Sequence, residues 1–240
     1  MDQYLVVAIT LIVASITQAL TGFGFSLILL PVLMFFYSAH EAIIISLMLT
    51  LFSYSLMLCF IYRHVNFRIV LLMFLMSLPG IYLGSILFGL ISALLLRYFV
   101  GIITILFSLF LLFQPSSPLH NERIGAILAG FLSGFLSSLM STPGPPIVLF
   151  AVNQNFQKEE FRASLGAFFL AVTPISILVH LYSNSGLVLP LIINSFSMIP
   201  VIILGNVLGL WLFPYIPGRY LRNMALSILF ILGLSTLFFK

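Results

Sequence analysis

Thr21-Gly22-Phe23-Gly24-Phe25-Ser26 and, about 120 residues later, Ser141-Thr142-Pro143-Gly144-Pro145-Pro146 interrupt two long apolar regions, 4–37 and 124–152. The first region has 34 residues, and as one helix it would run about 51 Å at roughly 1.5 Å per residue. That is far more than a hydrocarbon layer of roughly 30 Å requires. Helix-interior proline costs about 3 kcal/mol and glycine about 1, so each region is expected to break near its middle. Lipid offers no substitute partners for the freed main chain. Such breaks are therefore expected inside the protein, where they would frame a binding site.

Composition sets the surroundings of these breaks. Of 240 residues, 62% are hydrophobic and 6% charged, against roughly 45–50% and about 25% in soluble domains. The chain reads as an integral membrane protein with no soluble domain of useful size. Further helices are expected at 42–62, 69–91, 94–113, 161–182, 187–213 and 221–239. Asp2 follows Met1 with no basic cluster before the first apolar run, so the start does not resemble a cleavable signal peptide. The single cysteine, Cys59, excludes an intramolecular disulfide and makes a cysteine metal cage implausible; ordinary helix packing is expected of it. The net charge of +4 sits in short loops, where it sets membrane orientation. It does not signal nucleic-acid binding.

The chain is self-similar at a shift of about 120 residues. Gly24 falls on Gly144, Ala42 on Ala163, Pro79 on Pro200 and Gly84 on Gly205, and with a slip of a few residues Leu96-Arg97 falls on Leu221-Arg222. The expected organisation is a membrane repeat at 1–113, a linker at 114–122 rich in proline and serine, and a second repeat at 123–240, together one membrane domain. Loop charges bear on its topology. If each long region crosses once, four cations lie on one side and five on the other. If each folds back as a hairpin, Arg63, Arg68, Arg123, Lys158, Arg162, Arg219 and Arg222 share a face and only Arg97 and Lys240 lie opposite. The second division has the asymmetry of the positive-inside rule. It gives three spans plus a hairpin per half, hence inverted repeats, a recurrent transporter plan with its site near the midplane. The basic loops are then expected on the cytoplasmic side of the cell's inner membrane.

At the second break, Thr142-Pro143 reads as an N-cap and first-turn pair. The start of such a half-helix gathers free N–H groups and the positive end of the dipole, a setting for an anion. Thr21, Gly22, Phe23, Gly24 and Ser26 offer the equivalent at the first break, and Ser141, Thr142, Pro143 and Gly144 at the second. Two facing amide nests are expected to hold one small anion without a charged side chain. The competing reading is that glycine here only permits close helix packing. Gln18, Asn153, Asn194 and Asn206 are polar enough to line a path, with interhelical bonding the equal alternative, and Ser138 belongs with them. Phe23 and Phe25 are candidate gates. Arg162, with Arg63, either draws anions to a cytoplasmic mouth or only sets topology.

Asp2, Glu41, Glu122, Glu159 and Glu160 all lie near expected helix ends, which disfavours a carboxylate proton pump. His180 reads as a satisfied or interfacial histidine in preference to a proton carrier. HExxH, GxSxG and phosphate-loop patterns are absent from the sequence, so no enzyme is expected.

The Gly-rich break leading to Pro31-Val32-Leu33 resembles the TauE/SafE family of sulfite-exporter-like membrane proteins. So do Ser133-Gly134 through Pro145-Pro146, the run Phe161-Arg162-Ala163-Ser164, and a Pro-x4-Gly helix in each half. The resemblance spans essentially the whole chain. It implies a secondary transporter of sulfite, thiosulfate, sulfonates or related organic acids. The chain departs from the family's glycine density at Phe25, Ser26, Ser137 and Ser138. The combined expectation is an all-α polytopic membrane protein that moves a small anion by alternating access. A passive anion channel and a non-transporting scaffold are the alternatives. Expected partners are the anion and the bilayer, with no cofactor; a coupling ion (proton or sodium) and homo-oligomerisation stay open.

Overall fold

The computed structural model describes residues 3–113, 122–154, 156–183, 189–191, 193 and 195–215. The expected helix at 221–239, the linker serines and prolines, and Asn194, Arg219, Arg222 and Lys240 lie outside the described residues. Within them the chain is helical: α1 Gln3–Thr21, α2 Phe25–Leu33, α3 Ala39–Ile61, α4 Phe67–Leu90, α5 Ala93–Phe113, α6 Glu122–Met140, α7 Gly144–Asn153, α8 Lys158–Ser183 and α9 Ile199–Leu212. Six helices are long and apolar enough to cross a membrane among the described residues.

Both long apolar regions break where glycine and proline indicate. Residues 4–37 divide into α1 and α2, and residues 124–152 into α6 and α7. With nine and ten residues, α2 and α7 run only roughly 14–15 Å, too short to cross. Every residue of α2 is buried, as expected of a helix that is apolar all round. It lies within the bundle, packed on α1 and α3. One expected helix differs. The region 187–213 carries a 3-10 turn at Phe196–Met198 before α9 begins, because Pro200 suits a first helical turn better than a helix interior. Cys59, expected to be packed, is exposed on α3.

Local chemistry fixes the helix starts that matter for the site. Ser38 and Glu41 form a capping box at α3, closing orphan amides reciprocally. Asn66 caps α4 through its side-chain oxygen and also reaches α8, its Nδ2 donating to Glu160 Oε1 at 2.9 Å and its N–H to Ser164 Oγ at 3.0 Å.

The cross-packing is reciprocal. Helix α4 lies along α6, α9 lies along α1, and α3 lies along α8. Glycines permit the first two contacts. Gly80 and Gly84 face the carbonyls of Phe131 and Phe135, while Gly130 and Gly134 face those of Met73 and Ser77. Gly205 and Gly209 likewise sit against Ile12, Ser15, Ile16 and Ala19. Backbones come this close only where no Cβ intervenes.

A leucine at Gly134 has nowhere to go against Ser77, whereas a side chain at Gly89 would meet nothing within 4 Å. Gly134→Leu is therefore expected to cost about 1–3 kcal/mol or more by overpacking and Gly89→Leu little. Thermal unfolding of the two purified variants side by side checks this; equal melting temperatures would contradict it.

Candidate functional site

The first break is a left-handed turn. Gly22 and Gly24 have φ of +84° and +95°, a region that costs other residues about 1–2 kcal/mol. The Thr21 hydroxyl is spent within it, 2.8 Å from the Thr17 carbonyl and 2.9 Å from that of Phe23, and it accepts from the Phe23 N–H at 3.3 Å. Gly22 N–H donates to the Gln18 carbonyl at 2.7 Å. What remains is the first turn of α2, where the N–H groups of Phe25, Ser26 and Leu27 precede any intrahelical acceptor. Gly24 caps that turn without a side-chain bond.

The second break bends differently. Ser141, at φ +56°, is the non-glycine residue with positive φ among the described residues. Its N–H donates to the Ser137 carbonyl at 2.9 Å and its hydroxyl to Ser46 Oγ at 3.1 Å. The threonine-proline cap expected from the sequence is not formed. Pro143 occupies the N-cap of α7 without a side-chain bond, and Thr142 Oγ1 is buried without a partner among the described residues. Because Pro143, Pro145 and Pro146 carry no N–H, this half-helix start exposes the Gly144 amide and little else. The two breaks are thus chemically unequal: one offers amides, the other a proline wall, a single amide and an idle hydroxyl.

The breaks meet. Gly24, Ser26 and Leu27 from one side and Pro143 and Gly144 from the other line a shared cavity of about 10 Å³, close to the minimum that holds one water. Its remaining walls are Thr50 and Tyr54 of α3 and Phe169 of α8. Thr50 is 1% exposed and its hydroxyl has no partner among the described residues. An orphaned buried hydroxyl costs about 1–3 kcal/mol, and this one stands on the wall of the shared cavity. Tyr54 OH donates to the Gly22 carbonyl at 3.5 Å, tying the same wall to the first break.

The family model described as sulfite exporter TauE/SafE matches residues 7–236. The chain belongs to that family. No curated protein and no solved structure matches it. TauE/SafE members are membrane transporters and not enzymes, and this one is a multi-pass membrane protein.

The other site residues expected in this TauE/SafE chain divide into three groups. Gln18 and Asn206 belong to a buried polar chain one turn beyond the cavity. Ser53 Oγ donates to Gln18 Oε1 at 2.7 Å, and Asn206 Nδ2 donates to Ser53 Oγ at 2.8 Å, leaving Asn206 Oδ1 unpartnered. Ser138 lies elsewhere, its carbonyl accepting from His180 Nε2 at 2.9 Å, which makes His180 a satisfied buried histidine. Asn153 is half-buried at the far end of α7. Of the candidate gates, Phe25 is fully buried in the core, while Phe23 stacks edge-on against Phe107 and Phe161 at 6.0 and 6.4 Å. Arg162 lies in the first turns of α8. It is 5% exposed, donates from Nη2 to the Ala19 carbonyl, and packs its backbone against Gly22.

Sequence reading missed Thr50, Ser53 and Tyr54. With Ser46 they recur along α3 at spacings of three and four residues, a polar stripe on one helix face. That spacing is the signal by which the sequence marks them.

Gly22 and Gly24 are expected to respond unequally to alanine. A Cβ on Gly24 meets only Thr17 Cγ2 at 3.6 Å, whereas one on Gly22 falls 2.8 Å from Arg162 Cα. Gly24→Ala should cost about 1–2 kcal/mol from backbone strain alone, and Gly22→Ala about 1–3 kcal/mol more. Thermal melts that rank them in the opposite order would contradict this geometry.

Proposed function

We propose that this protein is a secondary transporter of a small oxyanion, with sulfite, thiosulfate, a sulfonate or a related organic acid as its substrate class. The anion is held between the two helix breaks. The observation that carries this reading is the cavity shared by Gly24, Ser26, Pro143 and Gly144, with the unpartnered Thr50 hydroxyl on its wall. The amides opening α2 and the positive end of its dipole would face the negative charge, Thr50 and Gly144 would donate to it, and Thr142 lies beside them. The family's own description as sulfite exporters supports the substrate class.

The size of the cavity supports alternating access. A cavity of about 10 Å³ is too small for a three-oxygen anion, so the half-helices α2 and α7 must part to admit one. Halves at 1–113 and 123–240 forming one inverted-repeat domain supply the hinge. The reciprocal packing of α4 on α6 and of α9 on α1 supports the repeat, and the hairpin count of basic loops supports its inversion, with those loops cytoplasmic at the inner membrane.

Thr50→Val provides the test, because valine keeps the shape and removes only the hydroxyl. A hydrogen bond to a charged group contributes about 1.5–3 kcal/mol, so sulfite flux into proteoliposomes is expected to fall at least about tenfold. Thermal stability should hold or rise, since an orphaned buried hydroxyl is deleted. Flux at the original rate in this variant, and also in Thr142→Val combined with Gly144→Leu, would refute the assignment.

A further inference from the structure

A second cavity, of about 390 Å³, includes Arg162, the residue whose backbone packs against Gly22 of the first break. Its walls include Phe60, Ile61 and His64 from the end of α3 and the turn after it, Arg162 from α8, and Leu210 and Phe213 from α9 and its cap. Arg162 is the buried group here. One N–H goes to the Ala19 carbonyl in the last turn of α1, where the helix dipole favours a cation. The face of the guanidinium lies 3.6 Å from the centre of the Phe213 ring. Its Nε has no hydrogen-bond partner among the described residues, and Glu159 attracts it by charge without forming an ion pair at contact. Glu159 stands on the cavity's rim, exposed.

A buried guanidinium with no counter-ion in contact is expensive, and exposed Glu159 acts on it only through solvent-screened charge. A carbonyl and an aromatic face offset part of that cost, yet neither carries a full negative charge. A guanidinium edge presents parallel N–H groups that match two oxygens of an oxyanion. We infer that the Arg162 cavity is a second oxyanion site, distinct from the cavity between the breaks. Its ligand is a free sulfite- or sulfate-like ion or the phosphate of an anionic phospholipid. Exposed Phe60 and Val207 on the wall would accommodate the lipid's chains in the second case. The inference goes beyond the transport reading and stands whether or not the break cavity carries the substrate.

The chain's one tryptophan, Trp211, adjoins Leu210 and serves as a reporter. Full-length protein in nanodiscs of phosphatidylcholine alone is titrated with sulfite and with sulfate while Trp211 fluorescence is followed. Native mass spectrometry of protein purified from membranes containing phosphatidylglycerol reports retained lipid. The expected result is either a saturable fluorescence change or retained phosphatidylglycerol, the first naming a free ion and the second a headgroup. Arg162→Gln should weaken that signal at least about tenfold, the loss of a charge-assisted bond, and Thr50→Val should leave it intact. Glu159→Lys, on the exposed rim, should strengthen it severalfold by removing like charge, and it decides the matter if Arg162→Gln does not fold. No signal by either method in the wild type, or a signal that neither Arg162→Gln nor Glu159→Lys alters, overturns the site.

Discussion

A main-chain group released from a helix within the apolar layer must find its partner inside the protein, and this chain makes two such releases against the same neighbours. At the first, the Thr21 hydroxyl, the Gln18 carbonyl and Tyr54 close most of the freed groups. At the second, the Ser137 and Leu136 carbonyls of α6 accept from the Ser141 and Thr142 N–H groups. The groups still open are few: the first turn of α2, the Gly144 amide, and the hydroxyls of Thr50 and Thr142. Three of these four elements border one cavity. Buried α2 is the consequence, because an apolar helix too short to cross is tolerable only when protein surrounds its open ends.

Helix α3 joins the two breaks. Its polar stripe contacts the second break at Ser46, lines the shared cavity at Thr50 and Tyr54, and passes through Ser53 to Gln18 and Asn206. From Ser46 to Ser53 the rise is roughly 10 Å, so one rigid element spans the whole polar centre. A displacement of α3 would be felt at both breaks together. Arg162 adds a second tie, pinning the end of α1 to the start of α8.

The all-helical membrane fold was legible because composition and span length decide it, and the breaks were legible because Gly22, Gly24 and Pro143 through Pro146 all disfavour a continuous helix. The equivalence of the breaks was not. Repeat symmetry suggests two amide nests, but the prolines that announce the second break also remove its donors, and Thr142 consequently caps nothing. Thr50 escaped notice because a hydroxyl residue in a membrane helix ordinarily bonds back to its own turn, as Thr104 and Thr173 do here. Its idleness is a property of the packing. Arg162 looked like a loop charge by its place near a helix start, and only the folding of α1 and α9 over it makes it a buried cation.

The central claim is that an oxyanion sits between the start of α2 and the proline wall of α7. Selenite, which has the shape of sulfite and a heavier central atom, locates it directly by anomalous diffraction from crystals grown with the ion. The account predicts a peak beside Thr50, within hydrogen-bonding reach of the Ser26 and Gly144 amides. A peak confined to other parts of the molecule, with that space empty at saturating selenite, would contradict it.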